Sequence, residues 1–159
     1  MKNLRAIYNK IFGKGEWIEN PKLKQAIQKF KNNPTALTRK KLYEVFLESF
    51  LWIAIKDLPE GMPASTPPTI VTREMDYQMR ISTNANGDPV MAVFTDLTEL
   101  QNRNKSNLGT ESQGAYAQSA SQIIKVVVKD NFAGIVINPA GNWVELSRAE
   151  IDEISNLTA

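Results

Sequence analysis

Hydrophobic residues near the N-terminus follow the i, i+3, i+4, i+7, i+8 spacing that places side chains on one face of a helix. This N-terminal stripe consists of Leu4, Ile7, Tyr8, Ile11 and Phe12. Polar and basic residues fill the positions between, and Gly13 ends the pattern. The stripe predicts a short basic amphipathic helix that could pack on the protein's own core, pack against a second copy, dock in a partner's groove or lie on a membrane surface.

Two further helices are predicted between residues 20 and 49. Asn20-Pro21 is typical of an N-cap followed by proline at the first helical position. The apolar face of that helix would consist of Leu23, Ala26, Ile27 and Phe30. Asn33-Pro34 repeats the signal and predicts a helix whose inward residues are Leu37, Leu42, Val45 and Phe46. Together the two helices predict a helical hairpin.

Strand patterns follow the hairpin. The continuous apolar run from Leu51 to Ile55 predicts a strand that is buried on both faces. Residues 58–68 hold four prolines and predict an extended surface loop. The strands predicted beyond it are Ile70-Val71, Met75 to Ser82 and Val90 to Phe94, with a turn at Asn86-Gly87 between the last two.

The C-terminal part continues to alternate helices and strands. Thr95-Asp96 predicts the cap of a short helix, with Glu99 placed three residues after Asp96 as in a capping box. Residues 101–118 predict a polar loop, and Ser119 to Lys129 predict a helix. Two strands around the Asn138-Pro139 turn come next. A capping box of Ser147 and Glu150 then predicts a last helix. The chain therefore predicts a single α+β domain, a mixed β-sheet with helices packed on it, preceded by the N-terminal amphipathic helix.

Charge is divided unevenly along the chain, although the net charge is only +2. Residues 1–41 carry eleven Lys and Arg against two Glu, a net charge of +9, and the remainder carries fifteen acidic and eight basic side chains, a net charge of −7. Such a division indicates either a surface for an anionic partner or solvated helix faces that partly meet the acidic half of the same molecule. The candidate interaction surface consists of Lys22, Lys24, Lys29, Lys31, Arg39, Lys40 and Lys41.

The chain contains no His and no Cys. Those side chains supply most proton shuttles at neutral pH, thiolate nucleophiles and zinc ligands, so Ser-His-Asp, Cys-His and ordinary zinc chemistry are excluded. The most apolar stretch, Phe50 to Ile55, is much shorter than a membrane span. We expect a cytoplasmic, non-catalytic protein with no transmembrane segment and no cofactor.

Two patterns are candidates for phosphate-binding or metal sites. Gly13-Lys14-Gly15 lacks the preceding strand and the spacing of a phosphate loop. Asp57, Asp96 and Asp130 lie near predicted strand or helix ends, where carboxylates can gather around magnesium for hydrolysis. No spacing motif joins these aspartates, and capping or turn roles are favoured over a magnesium-dependent hydrolase.

Two blocks of the sequence resemble the SseB N-terminal domain family. The first is Met91-Ala92-Val93-Phe94-Thr95-Asp96 with its short helix, and the second is Gly134-Ile135-Val136-Ile137-Asn138-Pro139 followed by Trp143-Val144-Glu145-Leu146-Ser147. The resemblance spans about residues 20–157 and implies a compact α+β domain of bacterial type. The family supplies no agreed catalytic residues, so Phe94, Thr95, Asn138 and Pro139 are expected to be core, cap and turn positions.

The sequence as a whole favours an interaction module with two parts, an N-terminal helix at residues 1–18 and an SseB N-terminal-like domain at residues 19–159. The expected partner is another protein or a second copy of the chain. Binding of an acidic membrane surface or a nucleic acid through the basic N-terminal segment is the alternative from another class. The magnesium-dependent hydrolase is the catalytic alternative.

Overall fold

The computed structural model describes residues 18–57, 69–70, 78–79, 81–105 and 114–157. The helices in these residues are α1 (Pro21–Asn32), α2 (Ala36–Leu47), α3 (Leu97–Lys105), α4 (Ala120–Lys129) and α5 (Arg148–Leu157). The strands are β1 (Phe50–Asp57), β2 (Thr69–Ile70), β3 (Gln78–Met79), β4 (Ile81–Thr83), β5 (Pro89–Phe94), β6 (Gly114–Ser119), β7 (Gly134–Ile137) and β8 (Val144–Ser147). The N-terminal stripe lies outside the described residues.

The strands form one mixed sheet in the order β2-β6-β1-β5-β7-β8, with β3 paired to β1 and β4 paired to β5. The pairs β2–β6 and β5–β7 are parallel, and the other pairs are antiparallel. The prediction of an α+β domain with a mixed sheet is confirmed. The parallel β5–β7 pair brings two carboxyl ends of strands to the same edge of the sheet.

Strands β1 and β5 pair with each other only at Trp52 with Phe94 and Ile53 with Val93. Further along, β1 pairs with β3 and β5 pairs with β4, so the two central strands separate toward the amino end of β5. A hairpin joins β4 to β5, in which the Asn84 side-chain oxygen accepts from the backbone N–H groups of Asn86 and Asp88 at 3.0 Å each. Gly87 adopts φ 82, which a glycine adopts without steric cost, and the turn predicted at Asn86-Gly87 is confirmed.

Both faces of the sheet are covered. On one face, inward residues of the central strands, such as Ile53, Val93 and Ile135, pack against α1, α2, α4 and α5. On the other face, Trp52 and Phe94 pack with Leu100 of α3. This two-sided burial explains why β1 is a continuous apolar run rather than an alternating one, because neither face of the strand meets water.

The predicted polar loop at residues 101–118 is wrong at both ends. Helix α3 continues to Lys105, and β6 begins at Gly114 and lies inside the sheet between β2 and β1. Ala117 is paired with Trp52 and Ala115 with Ala54, and both alanines are buried on the face that holds the indole. A large residue on β1 is accommodated by small residues on its neighbour, and alanine has a low strand propensity that hides such a strand in the sequence.

The start of α2 also differs from the prediction. The Asn33-Pro34 pattern predicts an N-cap at Asn33, but the N-cap is Thr35, which forms a reciprocal capping box with Thr38. Leu37 was predicted to face inward, but it is 77% exposed. A helix turns by about 100° per residue, so Leu37 lies roughly 180° around α2 from the buried Phe46. The inward prediction for Leu37 is therefore wrong.

The predicted capping box at the start of α5 is confirmed. The backbone N–H of Ser147 donates to Glu150 Oε2 at 2.8 Å, and the N–H of Glu150 donates to Ser147 Oγ at 3.3 Å. The other carboxylate oxygen of Glu150 accepts from the hydroxyl of buried Tyr43 at 2.9 Å, which ties α2 to α5. Burial, together with this hydrogen bond, raises the pKa of Tyr43 well above its ordinary value.

Candidate functional site

Four polar side chains gather where β5 and β7 end together, and we call them the rim cluster: Thr95, Asp96 and Glu99 after β5, and Asn138 after β7. Thr95, Asp96 and Asn138 are buried, with exposed fractions of 0%, 8% and 2%. The carboxyl edge of parallel strands is the usual position of ligand sites in open α/β sheets, so this edge is the first place to look for chemistry.

Asn138 joins the ends of the two parallel strands. Its side-chain oxygen accepts from the backbone N–H of Thr95 at 3.0 Å, and its amide nitrogen donates to Thr95 Oγ1 at 3.0 Å. The backbone N–H of Asn138 donates to the carbonyl of Val93 at 2.9 Å. Asn138 adopts φ 54, a left-handed conformation that asparagine tolerates better than most residues. Asn138 is therefore a turn residue, as expected, and it is also the main hydrogen-bonding partner of Thr95.

Asp96 caps the start of α3 and also binds the ammonium group of a lysine. Its Oδ1 accepts from the backbone N–H of Glu99 at 2.8 Å, which is the predicted cap, while its Oδ2 accepts from Thr95 Oγ1 at 3.3 Å. Lys24 of α1 donates to the same Oδ2 at 3.0 Å, and its Nζ lies 3.7 Å from Glu99 Oε1. The hydrogen bond with Asp96 raises the pKa of Lys24. Glu99 thus pairs with Lys24 rather than completing a capping box.

Asn20 links α1 to the same edge of the sheet. It occupies the N-cap position of α1 with φ 51, but its side chain makes no capping hydrogen bond. The side-chain amide instead donates to the backbone carbonyls of Phe50 at 2.6 Å and Thr95 at 2.8 Å. The side-chain cap predicted from Asn20-Pro21 is wrong, because two strand-end carbonyls compete for the amide.

Most of the hydrogen-bonding capacity of the rim cluster is used within the protein. In the described part of the chain, Glu99 Oε2 is the one buried side-chain oxygen or nitrogen without a hydrogen-bond partner. Gly141 of the β7–β8 loop lies directly against it, and a side chain at this glycine would collide with the Glu99 carboxylate. The rim cluster therefore connects β5, β7, α1 and α3 through hydrogen bonds and an ion pair. Thr95 and Asn138, which belong to the blocks that resemble the family, make structural contacts here.

The three aspartates considered as magnesium ligands are not brought together. Asp96 follows the carboxyl end of β5. Asp130 is the C-cap of α4 and lies close to the amino ends of β5 and β7, where the N–H of Ala133 donates to the Pro89 carbonyl at 2.8 Å. Asp57 pairs in register with Gln78, in the half of β1 that points away from the rim cluster. Among the described residues, no cluster of acidic side chains could hold a metal ion.

The candidate basic surface is divided into two groups. Lys24 binds the acidic pair, Lys31 lies 5.4 Å above the centre of the Trp143 ring, Arg39 lies 5.7 Å above that of Phe30, and Lys41 is 3.9 Å from Glu44. In the second group, Lys22, Lys29 and Lys40 are exposed and form no ion pair with the described residues. The expectation that the basic segment partly meets the acidic half of the molecule is met by Lys24.

The loop between β7 and β8 packs against α1. Asn142 donates to the side-chain oxygen of Gln28 at 2.7 Å, and Trp143, which is 51% exposed, lies beneath the ammonium group of Lys31. In the sequence, Trp143 belongs to the second block that resembles the family, but it is not among the predicted surface residues. The available signal was a large aromatic residue directly after a turn rich in Asn, Pro and Gly.

A comparison with family models matches residues 23–153 to the SseB protein N-terminal domain. The chain belongs to the SseB N-terminal domain family. The match covers the described helices and strands from α1 through most of α5, including the whole rim cluster. No curated protein and no solved structure matches the chain. None of the described helices of this SseB domain has the length and apolar character needed to cross a membrane.

Proposed function

We propose that this SseB domain is a cytoplasmic, non-catalytic module that binds an acidic protein partner through the outer surface of the α1–α2 hairpin. We call this the hairpin surface and define it by Lys22, Lys29, Leu37 and Lys40. The observation that carries the proposal is the combination of three exposed lysines that form no ion pair with the described residues and a leucine that is 77% exposed on the same two helices.

Charge and apolar area play different parts in such a contact. Unpaired lysines attract an acidic partner and accelerate its association, and their effect is weakened by salt. Burying a leucine side chain that was exposed stabilises a complex by about 1.5–3 kcal/mol before the costs of association are counted. Leu37 would therefore act as the anchor, and the lysines would select partners by charge.

The rim cluster supports a binding role rather than a catalytic one. The carboxylate of Asp96 is occupied by a helix cap, a hydroxyl and a lysine, so a substrate would have to compete with contacts that hold the domain together. The absence of His and Cys from the sequence removes the commonest general bases and thiol nucleophiles.

The test compares variants of the full chain in a pull-down from the native host, with captured proteins quantified by mass spectrometry. Lys22→Glu with Lys29→Glu should reduce capture of an acidic partner at low salt. Its matched control is Lys125→Glu with Lys129→Glu, which makes the same charge change on exposed positions of α4. Leu37→Ser should reduce capture at low and high salt, with Leu157→Ser as the control at another exposed leucine.

Equal capture by the hairpin variants and their controls would contradict the proposal. Liposome flotation and gel-shift assays on the same variants test the other anionic ligands. If the chain binds anionic vesicles or nucleic acid and only the hairpin variants lose that binding, the ligand of the hairpin surface is the vesicle or nucleic acid and not an acidic protein. Catalytic turnover by the purified chain that is abolished by Asp96→Asn without unfolding would overturn the non-catalytic role.

A further inference from the structure

Strand β8 has one edge that no other described strand pairs with. In the described part of the chain, β8 is at the end of the strand order and pairs only with β7, with Val144 opposite Ile137 and Ser147 opposite Gly134. An unpaired strand edge presents backbone donors and acceptors that another strand can satisfy.

The register shows which peptide groups point outward. The N–H of Arg148 donates to the carbonyl of Ala133 at 2.9 Å, so the alternation of an antiparallel ladder turns Leu146 and Val144 toward β7 as well. The N–H and C=O of Glu145 therefore point away from the sheet. Because the peptide between Trp143 and Val144 is planar and trans, the carbonyl of Trp143 also points outward.

The outward groups do not extend along the whole strand. The N–H of Ser147 also points outward, but it is bound by Glu150 Oε2 at 2.8 Å in the capping box of α5. Within the described structure, the free part of the edge is therefore short and is limited to Trp143 and Glu145. We call these two residues the β8 edge.

Two side chains of opposite charge, Lys31 and Glu145, lie beside the β8 edge but do not form an ion pair with each other. Lys31 lies over the ring of Trp143 and has no acidic partner among the described residues. Among the described residues, the Glu145 carboxylate accepts only from the side-chain amide of Asn84 at 3.5 Å, at the limit of a hydrogen bond. An occupant of this edge should bring an acidic group to Lys31 and a basic group to Glu145.

A second copy of the chain meets this requirement. If two β8 strands pair antiparallel with Val144 opposite Val144, each Glu145 lies opposite Trp143 of the other copy, the residue whose ring Lys31 of that copy covers. The N–H of each Glu145 then meets the outward carbonyl of Trp143. Centring the pair on Glu145 would bring two like charges together, and centring it on Leu146 would require the occupied N–H of Ser147.

We propose that the chain forms a symmetric dimer by joining two β8 edges about Val144, with two reciprocal Lys31–Glu145 contacts. This dimer does not involve the hairpin surface, and it extends the sheet of each copy into one continuous sheet. Because the free edge is short, the dimer should be reversible and dependent on concentration.

Sedimentation equilibrium over a range of protein concentrations tests the dimer. The wild-type chain should show a monomer–dimer equilibrium. Glu145→Pro removes an N–H that does not bond to β7, so the variant should keep its circular dichroism spectrum and become monomeric. Glu145→Gln keeps that N–H and should dimerise more weakly than the wild type but more strongly than Glu145→Pro.

Charge reversal tests the register independently of proline. Lys31→Glu and Glu145→Lys alone should each weaken dimerisation by roughly tenfold or more, because each creates two like-charge contacts per dimer. The double variant Lys31→Glu with Glu145→Lys should restore it. Lys22→Glu with Lys29→Glu should leave the dimer intact, which separates this test from that of the hairpin surface.

A wild-type chain that stays monomeric at all concentrations would overturn the proposal. So would a folded Glu145→Pro variant that still dimerises. A double charge reversal that fails to restore the dimer would overturn the register about Val144.

Discussion

Replacing Asn138 tests whether the rim cluster holds the sheet together. Asn138→Ala leaves the buried N–H of Thr95 without an acceptor, which costs about 1–3 kcal/mol, and removes the bond to Thr95 Oγ1, worth about 1 kcal/mol. Alanine in a left-handed conformation costs roughly 1 kcal/mol more. The expected loss in the free energy of unfolding is therefore about 3–5 kcal/mol.

Urea unfolding followed by tryptophan fluorescence measures this loss, because Trp52 is fully buried next to the cluster. Asn138→Gly loses the same hydrogen bonds without the left-handed strain, so it should be about 1 kcal/mol more stable than Asn138→Ala, less any cost of glycine's greater chain entropy. Asn142→Ala, in the same loop but with one exposed hydrogen bond, should change stability by about 0.5 kcal/mol or less. If Asn138→Ala cost no more than Asn142→Ala, the structural role of the cluster would be refuted.

Three further predictions concern contacts around the same domain. A double-mutant cycle on Lys24→Met and Asp96→Ala in urea unfolding should give a coupling energy of about 1 kcal/mol, and purely additive effects would show that the partly exposed pair contributes nothing. Gly141→Ala should destabilise the domain by about 1–3 kcal/mol, and Glu99→Ala should relieve most of that cost, since the added methyl group meets the Glu99 carboxylate. Because the pKa of Tyr43 is raised in the folded state, the unfolded chain loses the Tyr43 proton first above pH 10.0, and the free energy of unfolding falls as the pH rises from there. In Tyr43→Phe the free energy of unfolding should fall less steeply between about pH 10 and 11. Equal slopes for the wild type and the variant would contradict the effect of burial.

Most of the secondary structure could be predicted because its signals are local. Helix α5 was predicted from the Ser147 and Glu150 capping box, β1 from its apolar run, and the β4–β5 hairpin from Asn86-Gly87. Each signal depends on residues that are close together in the chain. Local hydrogen bonding and burial were therefore sufficient to identify these elements.

The errors arise where distant residues decide the outcome. The position of β6 in the sheet depends on the pairing of Ala117 with Trp52, and the sequence near Ala117 does not indicate that pairing. The Asn20 side chain is drawn from its helix to two strand-end carbonyls by the tertiary fold. The division of the lysines into paired and unpaired groups likewise depends on where Asp96 and Trp143 come to lie.

The position of β1 in the middle of the sheet has a consequence for synthesis on the ribosome. β1 emerges before its neighbours, yet its residue Trp52 pairs with Phe94 on one side and Ala117 on the other. β7, which completes the parallel pair with β5, emerges later still. Contacts between such distant residues require long loops to close before they bring any gain, so we expect the nascent chain to stay unfolded until nearly all of the domain has left the exit tunnel.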